Sequence, residues 1–250
     1  MARVTVLIST MGGRIDNISL PPYCSDVLYI VVHQQPQVPF SFGRNDVRYI
    51  PSLEKGLSKS RNLALKHCVT KYGFIADDDV VIDISALQKA VDCAENYEAD
   101  ILVCRFSYSD GGMNSYPADG FRYGVRSLTS VCSIEILIRI ESLRKKSILF
   151  DERFGLGTSL PSGEEFIFLT DVLKSRLEIR HSSCVVCIHP PVTSGMDFFT
   201  TEEKVLAKRE MLIRVFGVWA PLVMVIFFAK KARVLFANNK LKFFVRNFFF

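Results

Sequence analysis

Three consecutive carboxylates, Asp77, Asp78 and Asp79, follow the short apolar run Tyr72-Gly73-Phe74-Ile75-Ala76. Hard carboxylate oxygens gathered in this way suit a hard divalent cation. Upstream stands Gly56-Leu57-Ser58-Lys59-Ser60-Arg61-Asn62, and Leu63, Ala64, His67 and Cys68 continue it at helical spacing. With Ser58 read as the helix cap, Lys59 and Arg61 fall in or near a first turn whose free N–H groups already favour an anion. Cations on one side and carboxylates on the other suit a diphosphate bridged to the protein by a metal. Three aspartates alone also fit a solvated acidic turn. The ordered succession of basic helix start, strand and aspartates argues for a site.

Two further stretches carry candidate chemistry. Ser9, Thr10, Met11, Gly12, Gly13 and Arg14 follow a first strand over Arg3 to Thr10. Glycines there allow a ligand close to the backbone, and Arg14 has the fork and charge for a phosphate. A plain strand-to-helix turn explains the same residues. Farther on, Ser162-Gly163-Glu164-Glu165 has capping-box spacing ahead of a helix whose buried face is Phe166, Ile167, Leu169, Val172 and Leu173. Cys184 and Cys187 form a Cys-x-x-Cys without a second pair, so they read as alternating positions of a strand rather than a metal site.

The elements that must hold these residues alternate between strand and helix. Val27 to Val32 and Val47 to Ile50 read as strands, and a short helix from about Ile15 to Leu20 ends at Pro21-Pro22. Ser85 and Gln88 have capping-box spacing for a helix to Tyr97, with Leu87, Ala90, Val91 and Ala94 as its apolar face. Asp100 to Phe106 and Ser130 to Ile140 read as strands, and Leu177 to Ile188 as two short ones. Between them, residues 107–124 are polar and glycine-rich, a length of loop that is usually functional or disordered. Tyr108, Tyr116 and Tyr123 in it serve either to stack on the rings of a ligand or to pack inward.

The Gly56–Asn62 block followed by Asp77-Asp78-Asp79 resembles the nucleotide-sugar half of family 2 glycosyltransferases with the GT-A fold. Phe150-Asp151-Glu152-Arg153-Phe154-Gly155-Leu156-Gly157-Thr158 ahead of Gly163-Glu164-Glu165 is similar to the acceptor-side motif of that family. The resemblance implies an α/β, Rossmann-like GT-A domain with a mixed, mainly parallel sheet flanked by helices. It implies inverting transfer of a sugar from a nucleotide-diphosphate donor to a hydroxyl. Mn²⁺ or Mg²⁺ would sit on Asp77 and Asp79, with His189 after the last strand as a further ligand. Ser9, Thr10, Arg14, Lys59, Arg61, Asp77 and Asp78 would hold the donor. Glu165 would be the general base, with Glu164 as its substitute. Many members carry an aspartate after the second strand to contact the base; this chain has His33-Gln34-Gln35-Pro36, which leaves the nucleotide base open.

Composition bounds the rest. The chain has 250 residues, 49% of them hydrophobic, enough for one large α/β domain with an appendage. Seven cysteines in no paired pattern argue for a reducing compartment. The N-terminal apolar run is too short for a secretory signal, so a cytoplasmic body is expected. The formal net charge of +5 is uneven, because residues 201–250 hold most of the unmatched Lys and Arg. Residues 1–210 are read as the catalytic domain and 211–250 as a basic, apolar tail. The run Val215 to Ala229 is shorter than the ~20 residues a spanning helix needs. Residues 212–250 are therefore expected to lie on an anionic membrane at its inner face, with Trp219 and the phenylalanines at the acyl boundary. A buried C-terminal helix or an oligomer contact would use the same residues. A membrane-bound transferase implies a saccharide or lipid-linked saccharide acceptor, as in surface-polysaccharide assembly. Nucleic acid is not an expected partner, since the positive charge clusters with phenylalanine-rich runs. Two other readings remain: a nucleotidyltransferase of related fold, and a non-catalytic nucleotide-sugar-binding subunit at the membrane.

Overall fold

The structure is a computed structural model and describes residues 1–191 and 198–249. Val192 to Gly195, the segment following His189-Pro190-Pro191, and Phe250 of the tail lie outside the described residues. The first half runs β1 (Val4–Met11), β2 (Val27–Gln34), β3 (Val47–Ser52), α1 (Leu57–His67), β4 (Tyr72–Asp77), β5 (Val81–Ile82) and α2 (Ile84–Asn96). The second half runs β6 (Ile101–Tyr108), β7 (Ile136–Arg139), α3 (Ile140–Lys146), α4 (Glu164–Lys174) and β8 (Ile179–His189). Helices α5 (Glu202–Phe216), α6 (Ala220–Ala237) and α7 (Leu241–Phe249) complete it.

One eight-stranded sheet, ordered β3-β2-β1-β4-β7-β6-β8-β5, organises the domain. The β3-β2-β1-β4 half is parallel, and β7 joins it antiparallel to both β4 and β6. Alternation along the strands builds two cores. Val4, Val6, Ile8 and Phe74 face α2, and Leu7, Ile30 and Ile75 face α1, α3 and α4. The chain leaves β1 toward β2 and β3, then crosses back to place β4 on the other side. Beyond the carboxyl ends of β1 and β4 is therefore the switch point where open α/β sheets bind ligands. Ser9 and Asp77 are paired in register there.

Several local expectations change. Gly12–Asn17 is a 3₁₀ turn, which overlaps only the start of the short helix expected from about Ile15 to Leu20. Helix α2 is capped by Asp83, which accepts from the Ala86 N–H, and not by Ser85. The Ser130 to Ile140 strand reduces to β7, preceded by a 3₁₀ turn at Ser133–Glu135 and followed directly by α3. The two short strands at 177–188 are the single strand β8, which holds both Cys184 and Cys187 as free thiols.

A third core lies apart from the sheet. Phe154 and Ile167 meet Val205, Leu212 and Val215 of α5, Met224 and Leu235 of α6, and Phe244 and Phe248 of α7. Arg214 Nη2 pairs with Asp171 Oδ2 at 2.7 Å, and its Nε lies 3.1 Å from Asp151 Oδ2, fixing α5 to α4 and to the 150s loop. The boundary drawn between residues 210 and 211 thus falls inside α5. The run Glu202–Ala237 is long and apolar enough to cross a membrane by length and composition. The stretch Val215 to Ala229 read from sequence is shorter, because the run joins α5 to α6 through the 3₁₀ turn Gly217–Trp219.

Candidate active site

The basic block at 56–62 builds the site mainly by stitching. Gly56, whose N–H is taken by Gln34 Oε1 at 2.8 Å, is the N-cap of α1, and Ser58 does not cap. Ser58 Oγ instead donates to the Phe154 carbonyl at 2.6 Å. Ser60 Oγ lies 2.8 Å from Ser9 Oγ. Asn62 donates to the Phe150 carbonyl at 3.0 Å and accepts from its N–H at 2.9 Å. The first turns of α1 are thereby tied to the end of β1 on one side and to the 150s loop on the other. Gly155, at φ +106°, permits this approach, since a Cβ there would stand 3.1 Å from Ser58 Oγ and 3.3 Å from Glu164 Cδ.

Arg61 is the centre of the constellation and is only 2% exposed. Its Nη2 lies 3.3 Å from Asp77 Oδ1, and its Nη1 lies 3.4 Å from both Glu164 Oε1 and Glu165 Oε1. The guanidinium also stands over the Phe150 ring, 5.6 Å from its centroid. Burial alone would disfavour its charge, but Glu165, Asp77 and Glu164 outweigh that and raise its pKa. One buried cation therefore joins the carboxylate at the tip of β4 to the two that open α4.

Those two carboxylates sit where Gly163, at φ +103°, is the N-cap and makes no side-chain cap. The capping box read from sequence does not form, because Glu164 and Glu165 turn to Arg61. Burial first, and Glu165 beside it, push the Glu164 carboxyl above its usual range. Burial raises Asp77 as well, against the pull of Arg61. Lys208 of α5, which the sequence reading did not single out, is a near neighbour of Glu165 and Glu164. Burial lowers its pKa, and the two glutamates oppose that. No periodicity or motif marks Lys208; only the docking of α5 on α4 brings it here. A Cβ on Gly163 would stand 2.9 Å from Met211 Sδ, a measure of how closely α5 approaches.

The neighbouring aspartates differ from one another. Asp78 is buried and takes a 2.7 Å hydrogen bond from Thr10 Oγ1 together with the Arg14 guanidinium. Arg14 also approaches Asp79 at 3.3 Å. Lys59 pairs with Glu54 at 2.6 Å on the surface. Arg14 and Lys59, expected to meet phosphate, are thus each turned to a carboxylate, and Thr10 and Asp78 hold Arg14 at the end of β1. His33 is buried, between the Gly12 carbonyl at 2.8 Å and Tyr49 Oη at 2.9 Å.

Asp79 and His189 meet at 3.6 Å between Oδ1 and Nε2. The other ring nitrogen of His189 faces the Pro190 carbonyl, which only accepts, so Nδ1 is the donor. In the neutral ring Nε2 then carries a lone pair directed at an oxygen that is buried and has no hydrogen-bond partner among the described residues. Two electron-pair donors facing one another fit a cation between them. Asp77 is held by Arg61, and among the described residues no group of three or more His, Cys, Asp or Glu forms a cage. A site with two protein ligands, completed by a diphosphate and water, matches how Mg²⁺ is usually bound.

Residues 34–162 match the family model described as Glycosyl transferase family 2. The chain is a member of glycosyl transferase family 2. The matched region includes the α1 block, the three aspartates and the 150s loop, and ends just before Glu164 and Glu165. The fold of this family 2 glycosyltransferase is similar to that of S. aureus TarS. Over 86% of the chain it superposes on TarS 1–349 in complex with UDP-GlcNAc with a TM-score of 0.61 at 15% identity, covering 67% of that structure. The TarS 1–349 complex with UDP gives a TM-score of 0.56 at 16% identity, with 66% of that structure covered. Against the longer TarS structure the TM-score is 0.57 at 18% identity, and the chain spans 44% of its length. No curated protein matches the chain in sequence.

Proposed function

We propose that this family 2 glycosyltransferase moves a sugar from a nucleoside-diphosphate donor to a hydroxyl acceptor with inversion at the anomeric carbon. The observation that carries the reading is Arg61, whose one guanidinium meets Asp77 on the donor side and Glu165 on the acceptor side. The acceptor oxygen attacks the anomeric carbon, and its proton passes to Glu165 at the N-terminus of α4. The bond to the diphosphate oxygen breaks on the opposite face, and the nucleoside diphosphate leaves with the electron pair. Asp79 and His189, with Asp77 beside them, are the residues that would hold Mn²⁺ or Mg²⁺. Such an ion supplies neutralising charge for the leaving diphosphate. Arg61 orients the carboxylates on both sides of the reacting centre, and Lys208 adds positive charge near the acceptor side.

The TarS complex with UDP-GlcNAc makes that nucleotide sugar the first donor to try. The test incubates the protein with a panel of nucleotide sugars, UDP-GlcNAc included, with and without Mn²⁺. Release of a nucleoside diphosphate with a glycosylated acceptor supports the reading. Pyrophosphate as product would mean nucleotidyl transfer, and binding without turnover a non-catalytic subunit.

We also infer that the C-terminal helices rest on an anionic membrane at its inner face and present a lipid-linked saccharide to the site. Val218, Trp219, Leu222, Val225 and Ile226 are exposed around the start of α6, and Lys230, Lys231 and Arg233 follow. Apolar side chains with adjacent cations suit lipid tails and anionic head groups together.

A further inference from the structure

Glu135 takes no part in the constellation above, yet it is only 1% exposed, and the side-chain neighbour able to donate to it is the Tyr116 hydroxyl. Its Oε2 accepts from the Cys132 N–H at 2.7 Å, closing a capping box on the 3₁₀ turn before β7. Its Oε1 is buried and makes no hydrogen bond of good geometry among the described residues, although the Tyr116 hydroxyl lies near enough to favour the carboxylate. Leaving such an oxygen unpaired is costly, and more so for a charged group. Burial accordingly raises the Glu135 pKa to about 7.

The residue opens on a cavity of about 280 Å³, lined also by Asn114, Ser115, Tyr116, Tyr123 and Ser130. That is near the small end of ligand pockets, which begin at ~300 Å³, and so suits one sugar ring rather than a chain. Hydroxyl, amide and aromatic groups around a single buried carboxylate oxygen fit a polyhydroxylated ring better than an apolar or anionic ligand. The Tyr116 side chain is held in this wall by hydrogen bonding to Phe106 and by stacking on His181, with ring centroids 5.7 Å apart.

Glu135 connects this cavity to the C-terminal end of β4. Strands β4 and β7 run antiparallel with Phe74 opposite Leu137. Glu135 ends the 3₁₀ turn immediately before β7, on the side where β4 runs on to Asp77. Cys132 is an electrostatic neighbour of Glu135, Glu165 and Asp77 together.

We infer that this cavity is a one-ring subsite for the acceptor's terminal sugar, in which Glu135 Oε1 accepts a hydrogen bond from a ring hydroxyl and so sets acceptor specificity. The inference rests on the glycosyltransferase reading above. Its test reads binding, so that it fails separately from turnover. Saturation-transfer NMR on the full chain would use methyl glycosides of glucose, galactose and N-acetylglucosamine as probes, with UDP-GlcNAc, UDP-glucose or UDP-galactose present at saturation. At least one glycoside is expected to bind the wild type in the presence of the nucleotide sugar. Glu135→Gln, which preserves shape and the contact to the Cys132 N–H, is expected to weaken that binding by roughly ten- to a hundredfold, the value of a hydrogen bond to a charged group. Ser130→Phe, at an exposed position on the cavity wall, should block it with Glu135 intact. Unchanged thermal stability of Glu135→Gln near pH 6 would show that it is folded. No glycoside binding to the wild type, equal binding to both variants, or displacement of the glycoside by the nucleotide sugar would each overturn the inference. Displacement would assign the cavity to the donor's sugar.

Discussion

The Nε2 atom of His189, at the end of β8, lies 3.6 Å from Asp79 Oδ1, just past the end of β4. With Nδ1 turned to the Pro190 carbonyl, the two facing atoms in the neutral ring are both electron-pair donors. Either a proton on Nε2, which makes the contact a salt bridge, or the proposed metal ion between the two resolves it. Asp79→Ala is expected to remove turnover while leaving the unfolding temperature within about 2 °C, since Asp79 is partly exposed. His189→Ala should weaken Mn²⁺-dependent binding of UDP-GlcNAc by roughly ten- to a hundredfold. A turnover assay reads the first, and a thermal-shift titration of Mn²⁺ with UDP-GlcNAc reads the second, because ligand binding raises apparent stability by mass action. Equal Mn²⁺ responses in wild type and both variants would remove the metal assignment.

Arg61 predicts a stability effect as large as its catalytic one. Its guanidinium is buried and offsets the buried Glu164 together with the partly exposed Asp77 and Glu165. Replacing one partner of a buried ionic cluster leaves the others uncompensated, at about 3–5 kcal/mol. For a chain of this size, Arg61→Met should then lower the unfolding temperature by roughly 6–20 °C. Calorimetry or a dye-based melt decides. A drop under about 2 °C would mean that the cluster relaxes into solvent and that Arg61 is no hub.

Glu165 and Glu164 separate by exposure. The Glu165 side chain is 24% exposed and that of Glu164 is 5%. A base must reach the proton it takes, which favours Glu165. Glu165→Gln is expected to lower kcat by about 10²–10⁴ with donor affinity unchanged, as for loss of a general base. Glu164→Gln should cost less in rate. The reverse order in steady-state kinetics would exchange the two roles.

Glu135 and Glu164 also predict a pH dependence. Burial raises both above 4.5, Glu135 to about 7. A carboxyl whose folded pKa exceeds its unfolded value binds a proton on folding. Its stabilisation is complete below the unfolded pKa and is lost as pH rises through the folded one. The unfolding temperature should therefore fall between about pH 5 and about pH 8, and fall less in Glu135→Gln, which has no proton to lose. Parallel melts of wild type and variant that track one another across that range would contradict it.

The sequence made the donor half of this fold legible because its signals are local. Apolar strand runs, a basic helix start and carboxylates at a strand tip each need only their own neighbours. The roles within the block were harder to read. Ser58, Ser60 and Asn62 look like a cap and a solvated helix face, but they bind Phe154, Ser9 and Phe150, contacts that exist only once the chain has crossed the sheet. Glu164 and Glu165 carry a strong local capping pattern that loses to Arg61, a partner more than a hundred residues away. Lys208 and Glu135 have no sequence signal, since one reaches the site by helix docking and the other by strand register.

The C-terminal helices pose a choice between lipid and protein. Met224 and Leu235 of α6 are buried in the third core, whereas Leu222, Val225 and Ile226, spaced for one helical face, are about half exposed. Deleting residues 212–250 would also strip Leu212, Val215, Met224, Leu235, Phe244 and Phe248 from that core, so truncation confounds unfolding with release. Single charges on the exposed face avoid this. Leu222→Glu, Val225→Glu and Ile226→Glu should leave the unfolding temperature unchanged while weakening sedimentation with anionic phospholipid vesicles. Wild-type binding should also fall at high salt, because the cations of α6 and α7 act across a screened interface. If the face is an oligomer contact, vesicle binding will be absent in the wild type, and the same substitutions will lower the mass measured by light scattering.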